Sequence, residues 1–183
     1  MLTFDQLPHA LQPAALQSVR ESTIYRYYLE QLADSFVEDT EREWESVPIE
    51  SKVMFRPLVG VEPPIIEGVK FRAKIYNFRE ISYLFEAAGI ERELVDPNKV
   101  RKVLVFYPDE RGVEVKVAFK GDYTEREEDA VINLTRLWAI FISENLWAEA
   151  EDFLMEQMAD EPVRRWAVER VAKFDEGGNF VSL

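Results

Sequence analysis

Two runs of alternating basic side chains carry the most pointed chemistry in this sequence. Lys70, Arg72 and Lys74 occupy every second position of one apolar stretch, and Lys116 and Lys120 keep even spacing in another. Successive side chains of a strand point to opposite faces. Val69, Phe71, Ala73 and Ile75 are therefore expected inward, with Lys70, Arg72, Lys74 and Tyr76 outward. The second stretch repeats the pattern, with Val113, Val115, Val117 and Phe119 on one side and Glu114, Lys116, Ala118 and Lys120 on the other. If both strands belong to one sheet, the cations share a surface suited to an anionic ligand, an acidic peptide or single-stranded nucleic acid, with Tyr76 placed for stacking. The competing use of such lysines is to solvate a strand and block unwanted pairing.

Opposite charge gathers elsewhere. Glu38, Asp39, Glu41, Glu43 and Glu45 surround Trp44 in a short segment. Dense negative charge steers a basic partner, and tryptophan is enriched at binding hot spots. These residues are the first expectation for a partner-binding surface, with a protein of basic surface as the partner. The competing use is solubility, which net charge of either sign promotes. Over the whole chain the formal charge is −13. Its distribution is uneven: residues 1–68 sum to −7, residues 69–120 to +3 and residues 121–183 to −9. Duplex nucleic acid is disfavoured as a partner because phosphate binding is driven by lysine and arginine displacing counterions.

Several catalytic chemistries have no material to work with. There is no cysteine, and the single histidine, His9, stands in a leader flanked by Pro8 and Pro13. A thiolate nucleophile, a zinc cluster and a well-placed imidazole base are thereby excluded, and no cofactor or metal is expected. Carboxylates remain. Glu125 with Glu128 and Glu149 with Asp152 are pairs at helical spacing that, on antiparallel helices, would hold Mg²⁺ through oxygen ligands. That spacing resembles the four-carboxylate pattern of the all-α nucleotide pyrophosphohydrolases, and it implies Mg-dependent nucleotide hydrolysis as a further alternative. The Glu-Glu-Leu-Gly-Asp context of that family is missing here. Binding is accordingly favoured over catalysis.

The elements that must position these groups follow from periodicity and capping. Met1 to Pro13 is read as a loose arm, and Ser18 with Glu21 as a capping box that opens a helix with Tyr25, Tyr28, Leu29, Leu32 and Phe36 on its apolar face. Val53 to Val59 reads as an edge strand interrupted by Pro57. Asn77 with Glu80 marks a helix that buries Ile81, Leu84, Phe85 and Ala88 and stops at Gly89. Asp96-Pro97-Asn98 is a turn, and Arg101 to Tyr107 pairs with Val113 to Phe119 as a hairpin. Thr124 with Glu127 caps a helix through Val131, Leu134, Leu137, Trp138, Phe141 and Ile142, and the pattern leaves open a break near Ser143 to Asn145 or one continuous helix from Glu125 to Met158. A last helix has Pro162 in its first turn, contains Trp166 and Val171, and ends at Gly177-Gly178 before a tail over 177–183.

This order predicts one α+β domain with a mainly antiparallel sheet of about four strands, helices on one of its faces and a helical C-terminal third. The order is similar to that of small acidic secretion chaperones, and the acidic surface implies an adaptor, chaperone or inhibitor type of role. With 183 residues the chain can bury a full core, about 70% of its unfolded surface. The start of the sequence lacks the basic and apolar regions of a secretory signal, and no run approaches the ~18 apolar residues of a membrane span. A cytoplasmic location and no membrane partner are expected.

Overall fold

Alternation of apolar and charged side chains builds a four-stranded sheet from β2 (Ile49–Phe55), β3 (Ile66–Ile75), β4 (Val100–Tyr107) and β5 (Glu114–Phe119), in the order β2-β3-β4-β5. The structure, a computed structural model, describes residues 1–40, 47–57, 64–84, 89, 94–107 and 112–183, with the side chains of 38–40 left out. Among them it has five helices and two antiparallel sheets. The fold is thus α+β, with a long helix in its C-terminal third. The chain divides into two compact units, one of Met1–Ala33, Phe55–Ile66 and Glu149–Leu183, the other of Asp34–Met54 and Glu67–Ala148.

The second of these holds the large sheet. Pairing runs antiparallel from Phe71↔Tyr107 to Ile75↔Val103 between β3 and β4, and from Lys102↔Ala118 to Phe106↔Glu114 between β4 and β5. Val69, Phe71, Ala73, Ile75, Val103 and Val105 are all buried, as their alternation requires. The covering element is α4 (Glu125–Gln157), which buries Val131, Leu134, Trp138, Ile142 and Leu146 within this unit. Trp138 meets the Phe71 ring edge-on at 6.1 Å. The Thr124 capping box forms: Glu127 Oε2 accepts from the Thr124 amide at 2.7 Å, and the Glu127 amide donates back to Thr124 Oγ1 at 3.2 Å. Those bonds hold the Glu127 carboxyl below the usual carboxylate range, the Thr124 backbone contributing most.

Of the two alternatives at Ser143, the structure has the continuous helix. Ser143 donates its hydroxyl to the Val69 carbonyl at 3.3 Å, and Asn145 donates to the Phe141 carbonyl one turn back at 2.7 Å. Polar side chains that find such acceptors do not compete for the helix's own amides. β2 is the edge strand predicted, displaced toward the N-terminus; it starts at Ile49 and stops at Phe55, short of Pro57. Its Val53 amide donates to the Asp34 carboxylate at 2.9 Å. α3 (Arg79–Ser82) is short, with Ile81 buried and the Asn77 side-chain amide on Glu80 Oε1 at 2.9 Å. Phe85 and Ala88 lie outside the described residues. The Asp96 carboxylate accepts from the Asn98 amide at 2.9 Å and starts the expected turn.

The first unit contains a smaller sheet, order β1-β6-β7, from β1 (Leu2–Thr3), β6 (Lys173–Phe174) and β7 (Phe180–Ser182). The leader is therefore an ordered part of the fold and not a loose arm. Leu2 and Thr3 pair with Phe174 and Lys173, Phe4 and Leu7 are buried, and the Phe4 ring stands edge-on to Phe174 at 6.0 Å. Nor is 177–183 a free tail, since Phe180 and Ser182 pair with Phe174 and Lys173. Strands of two or three residues are too short to show a period of two, so neither end is legible by alternation.

Four helical segments complete this unit: α1 (Gln12–Arg20), the start of α2 (Thr23–Thr40), the end of α4 from Glu149 and α5 (Asp160–Glu169). Ser18 does not cap a helix start. It lies inside α1 and accepts from the Phe180 amide at 2.7 Å, while Ser22 Oγ accepts from the Tyr25 amide at 3.2 Å ahead of α2. On α2, Tyr25, Leu29 and Ala33 form the buried stripe, flanked by half-buried Tyr28 and Leu32. Tyr25 packs edge-on to Trp166 at 4.9 Å and donates its hydroxyl to the Gln157 carbonyl at 2.7 Å. Arg26, also buried, reaches Glu30 at 3.3 Å and the Arg56 carbonyl at 3.2 Å.

The final helix ends earlier than its apolar pattern suggests. Val171 adopts a φ of 55°, and the Ala172 amide returns to the Ala167 carbonyl at 2.9 Å, which closes α5 at Glu169. Gly178 serves the hairpin between β6 and β7 instead. Its φ is +83°, and a Cβ there would approach the Leu11 carbonyl oxygen at 3.2 Å, so only glycine fits without strain.

Candidate functional site

The face of the large sheet opposite its buried apolar side carries the basic residues singled out by spacing. Rungs are fixed by register: Arg72, Phe106 and Glu114 lie side by side across β3, β4 and β5, followed by Lys74, Leu104 and Lys116, then Lys102 opposite Ala118. Neighbouring strands stand about 4.8 Å apart, and same-face residues along a strand about 6.7 Å apart. Arg72, Lys74 and Lys116 are exposed and Lys70 is half-buried. Lys120 follows the end of β5, exposed, with its amide donated to the Lys99 carbonyl at 2.7 Å. Of the expected basic cluster, the register places Arg72, Lys74 and Lys116 on one face.

Its centre is aromatic and apolar, which spacing alone does not reveal. Phe106, half-buried on β4, has the Arg72 guanidinium carbon 5.9 Å from its ring centroid and Lys116 Nζ at 5.6 Å. These two cations come from β3 and β5, one on each side. Lys102 Nζ lies 5.6 Å from the Tyr76 ring, and Tyr76 is 63% exposed. Exposed cation–π contacts contribute about 0.5–1 kcal/mol each, enough to bias rotamers without locking them. The acid within this group is Glu114, 3.1 Å from Lys116 Nζ; both side chains are more than half exposed, and such pairs contribute little.

Lys102, Leu104 and Phe106 do not stand out in the sequence because β4 is apolar on both faces. Val100, Val103 and Val105 mask the weaker outward alternation. The hairpin register is the signal that finds them: once Lys116 is paired across to Leu104, its β4 neighbours must share that face.

The acidic candidates are placed only in part. Glu38 and Asp39 fall in the last turns of α2, without described side chains, and Glu41, Glu43, Trp44 and Glu45 lie outside the described residues. Glu125, Glu128, Glu149 and Asp152 all belong to the continuous α4, so the two pairs do not face each other from antiparallel helices. Among the described residues no group of three or more His, Asp or Glu is placed to hold a metal ion, and no helix is long and apolar enough to cross a membrane.

In comparisons with known proteins, no family model, no curated protein and no solved structure matches this chain.

Proposed function

We propose that this protein is a cytoplasmic binding module whose working surface is the outer face of the four-stranded sheet, and that its partner is an extended anionic chain. One observation carries the reading: Arg72, Lys74, Lys102 and Lys116 from three strands share one sheet face, with Arg72 and Lys116 at the Phe106 ring and Lys102 at Tyr76. Solvation alone accounts for outward cations but not for the rings set among them. Charge elsewhere sharpens the effect, because a chain of −13 that keeps a basic face directs negative ligands to that face alone.

The test compares two triple variants by anisotropy with labelled inorganic polyphosphate. Arg72→Ala with Lys74→Ala and Lys116→Ala is expected to weaken binding more than about tenfold, each lost cation forfeiting released counterions. Arg164→Ala with Arg165→Ala and Arg170→Ala, on or just past α5, removes as much charge and is expected to leave affinity within about twofold. Equal losses in both variants would sink the proposal.

A second reading, in which a protein of basic surface docks on acidic helices as to an adaptor or chaperone, is favoured by the net charge of −9 over residues 121–183. It predicts that neutralising Glu125, Glu128 and Asp129 weakens capture of that protein, with the sheet-face variant binding as wild type.

A further inference from the structure

An anion-binding face accepts many ligands, and its rings narrow the choice. Resting on the anion-binding reading above, we infer that the outer sheet face binds single-stranded nucleic acid, with bases stacked on Phe106 and Tyr76 and the phosphodiester chain held by Arg72, Lys74, Lys102 and Lys116. Phe106 stands on a central strand of the sheet between Arg72 and Glu114, with the Arg72 guanidinium and Lys116 Nζ over its ring and Glu114 paired to Lys116. Tyr76 closes the far end of the same surface, with Lys102 at its ring. Between them the rung of Lys74, Leu104 and Lys116 sets an apolar side chain between two charges.

Each ring thus has a cation over its face in a weak contact, which a base can displace while the cation turns to the phosphate. A nucleotide has the complementary make-up, a π face joined to a phosphate. Stacking of this kind works with any base, since every base has such a face. An acidic peptide supplies the charge but no planar group for the rings, and would leave Phe106, Leu104 and Tyr76 uncovered. A duplex buries its bases in its own stack and presents phosphates alone, at a charge density that the rest of this acidic chain repels.

The rings and the cations make separable contributions, and the experiment reads them apart. Anisotropy would follow a labelled oligothymidylate of about 12 nucleotides, a length within the usual site sizes for single strands. Polyglutamate of matched charge and a duplex of the same length serve as comparisons across a salt series. The oligothymidylate is expected to bind tighter than either. Phe106→Leu keeps an apolar side chain on the strand but removes the ring; it is expected to weaken the oligothymidylate about tenfold while leaving polyglutamate affinity and the salt slope unchanged. Phe106→Trp, which keeps a ring at this position, is expected to bind as wild type. Arg72→Ala with Lys116→Ala instead lowers the log–log salt slope by about 1.4, at about 0.7 per phosphate contact. If Phe106→Leu leaves the oligothymidylate unaffected, or if polyglutamate or the duplex binds as well, the nucleic-acid assignment is overturned and the anion-binding face stands. If no anion binds, both fall.

Discussion

Phe106 and Tyr25 show how the same kind of ring serves two ends according to what surrounds it. Phe106 is half-buried among cations on an open face, whereas Tyr25 is wholly buried against Trp166 with its hydroxyl on the Gln157 carbonyl. Burial, reinforced by the neighbouring Tyr28, pushes the Tyr25 phenol from its ordinary 10.0 up to about 12. Because the folded value exceeds the unfolded one, the unfolded chain loses this proton first. The stabilisation is complete below pH 10.0 and is lost as the pH rises toward about 12. Tyr25→Phe is therefore expected to cost about 1 kcal/mol at neutral pH through the missing hydrogen bond. Urea titrations should show the gap between wild type and variant narrowing above pH 10.0, and a gap that widens there would contradict this assignment. The outward cations of β3 and β5 are legible residue by residue, because alternation needs only one strand. The ring between them is not, since Phe106 sits in a stretch that is apolar throughout and only its partners reveal its face.

Elements are legible where a pattern has room to repeat. β3, the hairpin of β4 and β5, and the Thr124–Glu127 start of α4 stand where alternation and capping put them. The misreadings and the open choice at Ser143 share one physical origin, in that short or polar segments are decided by distant contacts. Ser143 allows a break until the Val69 carbonyl accepts its hydroxyl, and Ser18 reads as a cap until the Phe180 amide claims it. The N-terminal leader is the plainest case. With Phe4 only 2% exposed against Phe174, Phe4→Ala is expected to destabilise by about 3–5 kcal/mol in urea unfolding. A change below about 0.5 kcal/mol would return the leader to the loose arm that its prolines suggest.

Charge organises the molecule as a whole. The +3 of residues 69–120 falls on the segment that contains β3, β4 and β5, while the flanking stretches are acidic. That asymmetry is legible in the order of charged residues alone, and it separates the chain into a basic sheet segment and acidic helical ones. Strand order and the open face turn that sum of charges into a surface. The most direct test of the surface is an amide NMR titration of the whole chain with short oligothymidylate, read residue by residue. Shifts are expected to concentrate at Arg72, Lys74, Lys102, Leu104, Phe106 and Lys116, with α5 and the small sheet undisturbed. Shifts confined to α5 or the small sheet, or none at all, would contradict a binding role for the sheet face.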